Sequence, residues 1–441
     1  MTEIAQETTR MDPTIKERIR KIQQGIVPEG YKGTEIGIVP NSWELKRFKD
    51  IFILTQGLQI PIRKRYQSTG PNKFIYITNE YVNSLANNEI QNVEYIKKPK
   101  KSVLCHKSDV LMTRTGNTGI VVSGVEGVFH NNFFKISYNK KKINRKFLIY
   151  ILNSNYVQHE IKRLAGTSTI PDLTHSDFYS LKVNFPVIEE QQKIANVLST
   201  WDRAIELKER MIEEKKEQKK GLKESIFSYE NMNEWKKFRL GEIGQFRTSS
   251  VNKKEDPDES SVKLLNYMDV YNNNMINNDI EYMMTTATPH QIKVNNVKKG
   301  DVFFTPSSET RDDIGHSAAV TEDIDGLVYS YHLIRYRIDP KIEFNSDFKA
   351  YCFNNSYILR QLSRLCTGST RYTLSISDLE SVEFYLPSLE EQQKIAKILS
   401  TADKEIGLLK EEVQLLKEQK KGLMQLLLTG IVRVGGVEGD L

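Results

Sequence analysis

One stretch of this 441-residue chain is written twice, and the repeat limits what the chain can fold into. Pro186 opens PVIEEQQKIANVLSTWDRAIELKERMIEEKKEQKKGL, and Pro387 opens PSLEEQQKIAKILSTADKEIGLLKEEVQLLKEQKKGL. The copies align without a gap at an offset of 201, with 21 of 37 positions identical. Self-similarity of this kind marks a duplicated structural unit. Each copy predicts a long helix, with Pro at the entry, acids in the first turn and apolar residues at heptad spacing. The second seam runs Ile395, Leu399, Ala402, Ile406, Leu409, Val413, Leu416, Leu423 and Leu427, broken by Lys420. The first runs Ile194, Leu198, Trp201, Ile205, Ile212, Leu222 and Ile226, interrupted by Lys208, Lys215 and Lys219. Neither stripe can be buried alone, and each copy is the other's obvious partner. The first helix leads from one globular segment to the next and the second must return, so the pair is expected to be antiparallel. At about 1.5 Å per residue, some 40 residues span roughly 60 Å, a spacer with a domain at each end.

The whole chain shares the duplication. Trp235-Lys-Lys-Phe mirrors Trp43-Glu-Leu-Lys, and Asp301-Val-Phe-Phe-Thr mirrors Asp109-Val-Leu-Met-Thr, both at an offset of 192. By Phe147 and Phe348 the offset is 201, so about nine residues enter the second copy's middle, where TPSSETRDDIGHSAAV replaces TRTGNTGIVVSG. Between Trp43 and Phe185 short β-rich runs (FKDIFIL, KFIYITN, DVLMTR, GIVVSG, VFHNNFFKI) precede one helical stretch, RKFLIYILNSNYVQHEIKRLA, which predicts an α+β domain. The expected layout is therefore an N-terminal arm (1–40), a globular domain (41–185), a spacer helix (186–228), a second domain (229–386), a second spacer (387–428) and a tail (429–441). The arm holds one short charged stretch, TIKERIRKIQQG, good for one or two helical turns.

Composition excludes several classes. Hydrophobic content of 39% and charged content of 27% fit a soluble globular chain. The N-terminus lacks the apolar core of a signal peptide and no run approaches 18 apolar residues, so a cytoplasmic protein without membrane contact is expected. Cys105, Cys352 and Cys366 show no CxxC spacing, which speaks against a disulfide frame or a metal site. His106, beside Cys105, reads as structural, and Pro257-Asp258-Glu259 reads as an exposed acidic loop. There is no GxxxxGK[ST] phosphate loop and no Asn/Asp-Pro-Pro-aromatic tetrapeptide, so no catalytic residue is assigned.

The net charge of +6 says less than its distribution. Both helical segments are neutral, with 9 Lys+Arg against 9 Asp+Glu over 186–228 and 7 against 7 over 387–428. Segment 41–185 has 22 against 10, while 229–386 has 18 against 23. A phosphate-binding footprint belongs to the first segment, and the second needs a local basic strip or a partner. Candidate DNA contacts are Arg63, Lys64, Arg65 and Tyr66, three cations with an aromatic, against the alternative of a solvated basic turn. Arg114, Thr115, Asn117 and Thr118 follow a strand and offer Arg for guanine and Asn for adenine, against a plain polar hairpin. The matching turn supplies Ser307, Ser308, Thr310 and Arg311, and two later Gly/Ser/Thr turns supply Thr167 and Ser168, then Arg371 and Tyr372. On the helices, EEQQK repeats over its polar face as well, which seam burial does not require. A common protein partner touching Glu190, Gln191, Gln192 and Lys193, and equally Glu391, Gln392, Gln393 and Lys394, would require it.

EEQQKIA(x)(x)LSTxDxxI, KEQKKGLMQLLLTG, the duplicated layout and the TPSSET loop resemble the specificity subunits of type I restriction–modification systems. The resemblance covers nearly the whole chain. It implies two target recognition domains, each reading half of a split, asymmetric double-stranded DNA site, held apart by two antiparallel conserved helices. It implies two methyltransferase subunits docked on those helices and bringing S-adenosylmethionine, with ATP and magnesium on restriction/translocase subunits. It implies no cofactor on this chain, and chain ends packed together near Thr429-Gly430. The alternative is a coiled-coil interaction scaffold that does not read DNA.

Overall fold

The computed structural model describes residues 12–86, 93–97, 99–166 and 169–434. The chain divides into two compact units, 1–207 with 413–441, and 208–412. Each unit contains one globular domain, the root of its own long helix and the far half of the other.

In unit one, Trp43, fully buried, precedes strand Glu44–Arg47, which pairs antiparallel with Lys182–Phe185 and ties the domain's beginning to its end. Between them stand two sheets. One has the order Phe52–Gln56, Phe133–Tyr138, Val110–Thr113, Val121–Ser123, all antiparallel. The other has the order Tyr95–Lys97, Lys73–Ile77, Gly127–Phe129, Leu104–Cys105, its central pair parallel. The expected run VFHNNFFKI is thus two strands on different sheets, parted at His130. The expected single helix over 145–165 is two, Arg145–Leu152 and Asn155–Ala165, because Ser154 caps the second, accepting from the Val157 amide at 3.3 Å.

Unit two repeats the plan. Lys236–Arg239 pairs with Glu383–Leu386, and the main sheet runs Gly244–Thr248, Ile334–Ile338, Val302–Phe304, Ser317–Val320, then an added Met275–Ile276. The second sheet is Met283–Ala287, Ser260–Leu265, Leu327–Tyr329. Strand register locates the extra residues. The offset is 192 at Val110/Val302, 196 at Ser123/Ala319, 200 at Ile136/Tyr336 and 201 at Phe147/Phe348. The expected nine-residue insertion is therefore distributed over three connections.

The arm is more structured than expected. Pro13–Gln23 is an 11-residue helix, and Tyr31–Thr34 with Gly37–Pro40 is an antiparallel hairpin. Both meet the chain's other end: Arg18 donates to Ile431 O at 2.8 Å and Tyr31 to Gly430 O at 2.8 Å. The packing of the chain ends near Gly430 is as the resemblance implied.

The long helices are Ile188–Ile226, 39 residues, and Leu389–Leu428, 40 residues. Ile194 and Leu198 of the first, with Leu427 of the second, join the core of unit one, while Ile395 and Leu399 join that of unit two. The lysines that interrupt both seams have a specific role. In unit two Lys208 pairs with Glu412 at 2.8 Å, Lys215 with Glu405 at 2.7 Å, and Lys219 with Asp403. Numbers rise on one helix as they fall on the other, so within this unit they run in opposite directions. In unit one Lys420 pairs with Asp202.

Those two aspartates bind a second partner. Tyr150 donates to Asp202 at 2.5 Å, and Tyr351 donates to Asp403 at 2.9 Å. Lys420 Nζ lies 5.5 Å from the Tyr150 ring centre, and Lys219 Nζ 5.5 Å from that of Tyr351. Burial, then the aspartate, pushes both phenols far above their ordinary pKa, so they stay protonated donors. Each unit holds the same tyrosine–aspartate–lysine triad, the aspartate from one copy of the repeat and the lysine from the other. Tyr351→Phe and Tyr150→Phe are each expected to cost about 1.5–3 kcal/mol in urea denaturation, the worth of one hydrogen bond to a charged group. Loss of stability no larger than that of an exposed Tyr→Phe control would contradict the triad's role.

Candidate nucleic-acid interface

In both units the end of a central strand is held open as a turn by a later segment. In unit one, Val110–Thr113 runs into Arg114–Gly119, and Arg114 O accepts from the Leu173 amide at 2.8 Å while Pro171 O accepts from Gly116 at 3.0 Å. Thr115 and Asp172 form a β-bridge. In unit two the same positions are a short ladder, Ser307 opposite Thr373 and Ser308 opposite Tyr372. Turns that looked independent in sequence are thus one composite loop in each domain. A third element supports each: Asn79 Nδ2 reaches Thr115 O at 3.4 Å, and Tyr267 OH reaches Ser307 O at 2.8 Å. Gly119 (φ +94°) and Gly315 (φ +80°) close the turns, and a Cβ there would lie 2.9 Å from Gln158 Oε1 and 2.4 Å from Leu362 Cδ1.

The candidate contacts sort by exposure. Arg114 faces inward. Its guanidinium meets Asp172 at 2.5 Å and lies over the Phe134 ring at 5.3 Å, which makes it a loop brace as placed. Burial raises the Asp172 pKa, but the Thr115 hydroxyl and Arg114 outweigh it, and the carboxyl ends below its ordinary range. Thr115 is committed to Asp172, and Thr118 Oγ1 donates toward Arg114 O (3.0 Å) and Pro171 O (3.1 Å). Asn117 remains exposed. Arg65 is likewise a brace, donating to Ile60 O at 2.8 Å and pairing with Glu94 at 2.9 Å, whereas Arg63, Lys64 and Tyr66 are exposed. Ser308 is buried and its Oγ accepts from the Thr310 amide, and Ser307 is half-buried. Thr310, Arg311 and Arg371 are exposed, with Arg311 over the half-buried Tyr372 ring at 5.2 Å. Thr167 and Ser168 lie outside the described residues.

Unit two also holds cations that the sequence reading passed over. Lys253 and Lys254, with Asn252 and Tyr331, line an open cleft of about 580 Å³. Burial, then Lys253 and Arg371, lower the His332 pKa, which places both cations near that ring. The loop carrying Lys253 follows Gly244–Thr248 as the loop carrying Arg63 follows Phe52–Gln56, and both strands pair with the same sheet position. Carrying the internal alignment through this loop would have found the pair, whose signal the neighbouring acids Glu255, Asp256 and Asp258 concealed.

The helix candidates need correction. Gln191 is 2% exposed, and its amide accepts from Asn144 N (2.9 Å) and donates to Lys142 O (3.1 Å) and Pro186 O (2.9 Å). Gln392 repeats this with Asn345 N (2.8 Å), Glu343 O (3.1 Å) and Pro387 O (3.0 Å). The glutamine repeats because it clasps each domain to its own helix, and neither side chain is open to a partner. Glu190 is buried by Trp43 Nε1 (3.1 Å) and Arg433 (2.6 Å). Gln192, Lys193, Glu391, Gln393 and Lys394 are exposed, Gln192 accepting from Asn144 Nδ2 and Lys394 pairing with Glu390. Large apolar side chains are exposed elsewhere on the long helices: Leu207 and Leu415 in unit one, Met211, Ile398 and Leu408 in unit two.

Other chemistry is thin. Among the described residues no three His, Cys, Asp or Glu are grouped to hold a metal, and no helix is long and apolar enough to cross a membrane. Cys105, Cys352 and Cys366 are buried free thiols, and burial pushes that of Cys105 up to about 11. His106 is exposed beside Glu126, and Asp256–Asp258 form an exposed turn. Gln392→Ala is expected to cost about 2–3 kcal/mol by orphaning the Asn345 amide and two carbonyls. Exposed Gln393→Ala is expected to leave the melting temperature unchanged, and equal effects of the two would refute the clasp.

Comparison with known proteins agrees with this construction. The family model for the type I restriction modification DNA specificity domain matches twice, at residues 40–217 and 232–418. The chain is 25% identical over 444 residues to the type I restriction enzyme MjaVIII specificity subunit of Methanocaldococcus jannaschii, covering 94% of this chain and 98% of that one. It is 26% identical over 453 residues to the putative MjaX specificity subunit of the same organism, covering 92% and 97%. A chain from a structure of complex assembly and conformational transition in the type I R-M system shares the fold, with a TM-score of 0.59 at 16% identity over 89% of this chain and 99% of that one. The chain belongs to the type I restriction–modification DNA specificity family and is a specificity subunit carrying two copies of its domain.

Proposed function

We propose that the domains at 41–185 and 229–386 each read one half of a bipartite, asymmetric site on double-stranded DNA. The observation that carries this is the composite loop, built twice from equivalent positions with different exposed side chains: Asn117 in one copy, Thr310, Arg311 and Arg371 in the other. Equivalent frames with unlike tips suit two half-sites of unlike sequence. Lys and Arg at the rim position the duplex through phosphates, and loop side chains facing base edges specify it. Lys253, Lys254 and Arg371 supply the local basic strip that the acidic second domain needs.

The long helices, on this reading, form an antiparallel coiled coil that sets the gap between half-sites, their centres about one helical turn of 34–36 Å or more apart. They dock two methyltransferase subunits, with restriction/translocase subunits completing the complex. S-adenosylmethionine, ATP and magnesium belong to those partners, and this chain works in the cytoplasm without a cofactor of its own. The burial of Glu190, Gln191 and Gln392 moves the expected docking surface onto the exposed apolar residues of the helices. Leu408→Asp is expected to reduce methyltransferase co-purification at an unchanged melting temperature, and unimpaired co-purification would move the surface elsewhere.

Methylation mapping tests the reading as a whole. Co-expressed with its methyltransferase in a methylation-free host, the chain is expected to confer one split adenine-methylation motif, and absence of any new motif would contradict it. Lys253→Ala is expected to weaken DNA binding for all sequences alike and to flatten the slope of log affinity on log salt by about one. An unchanged slope would remove Lys253 from the interface.

A further inference from the structure

The root of each long helix carries the same glutamate in a different setting. In unit one Glu190 is 7% exposed and the chain's own tail covers it. Arg433 reaches its two oxygens at 2.6 and 3.1 Å, and the Trp43 indole donates to it at 3.1 Å. Val432 and Val434, on either side of that arginine, pack on the core of unit one, and Arg433 also reaches Ser42 Oγ at 3.4 Å. Tyr31 and Arg18 hold the same tail through Gly430 and Ile431.

Unit two repeats the frame without the filling. Gln392 makes the clasp of Gln191, so Glu391 stands where Glu190 stands. The Trp235 amide donates to Met232 O at 3.0 Å, as that of Trp43 does to Pro40 O at 3.0 Å, which puts Trp235 in the place of Trp43 and Glu234 in that of Ser42. The space is an open groove of about 960 Å³. Trp235, Phe238, Ile342 and Leu389 supply its apolar lining, and Glu230, Glu234, Glu343 and Glu391 line it as exposed carboxylates against Lys236 and Lys341. Among the described residues no hydrogen bond or ion pair engages these four carboxylates, and the indole N–H of Trp235, 8% exposed, has no acceptor. The surplus of negative charge favours a cationic guest. A guanidinium matches a carboxylate in two parallel contacts, and one seated on Glu391 would draw it onto the Trp235 indole, as Arg433 holds Glu190 on Trp43.

We propose that this groove of unit two is the docking site for an extended segment of a partner subunit that carries an arginine between apolar residues. The chain's own tail is engaged in unit one, so the segment comes from another polypeptide. On the docking reading of the long helices, on which this identification rests, that polypeptide is the methyltransferase. The first arm of the test titrates a synthetic peptide of Thr429–Val434, TGIVRV, against the full chain by ligand-observed NMR and calorimetry. Saturable binding is expected, weakened about tenfold or more when alanine replaces the peptide's arginine and when the chain carries Glu391→Lys. Glu234→Lys is a second variant at an exposed position, expected to weaken binding in the same direction. No saturable binding, or binding indifferent to these charges, overturns the proposal. Dimers of the chain that Glu391→Lys abolishes would assign the groove to a second copy and overturn it too. The second arm repeats the titration on the complex with the methyltransferase, where the peptide is expected to find the groove filled. Undiminished binding to a complex that still forms removes the methyltransferase from the groove and leaves the docking reading standing. A complex that fails to form removes the docking reading, while the peptide result stands by itself.

Discussion

The exchanged aspartate is the contact on which the rest depends. Asp202 and Asp403 each take a phenol from their own domain and a lysine from the other copy of the repeat. One carboxylate thereby fixes how a domain sits on its helix and how that helix meets its partner. The energy involved is modest, because an ion pair with both ends partly exposed contributes about 0–1 kcal/mol. Its value is register. A slipped seam would leave Lys219 and Lys420 without their carboxylates. The glutamine clasp acts beside the aspartate: Gln191 and Gln392 close the joint between domain and helix through three backbone groups each.

From that joint outward each domain is a rigid support for a few exposed side chains. The strand that ends in the turn lies inside the main sheet, the turn is pinned by a segment 57 residues later in unit one (Thr115 to Asp172) and 66 in unit two (Ser307 to Thr373), and the first residue of a helix that follows a second-sheet strand holds a carbonyl of the turn. Arg114 supports this frame in unit one, leaving the tips to Asn117 there and to Thr310, Arg311 and Arg371 in unit two. A loop so braced can change its tip residues without losing its shape, a physical basis for two unlike readers on one duplicated fold.

Much of this was legible in the sequence because duplication lets a chain be compared with itself. The long helices, the α+β plan and the matching of equivalent turns follow from the internal offsets, and the packing of the chain ends follows from the family resemblance. What escaped reading was long-range. Nothing local in Arg114-to-Gly119 announces Asp172, so an arginine suited to guanine was in fact occupied. Nothing local in EEQQK distinguishes a glutamine facing a partner from one facing the backbone of its own domain. The seam lysines looked like defects because their carboxylates lie about 200 residues away. The ladder between Ser307 and Thr373 joins two turns that propensity alone would leave as separate loops.

The central claim is that this register fixes a distance on DNA. Its most direct measurement is the methylated motif produced when equal numbers of residues are inserted into both long helices, between Asp202 and Lys219 and between Asp403 and Lys420, so that both triads survive. The account predicts a longer unspecified gap between two unchanged half-sites. Altered half-site sequences at an unchanged gap would contradict it.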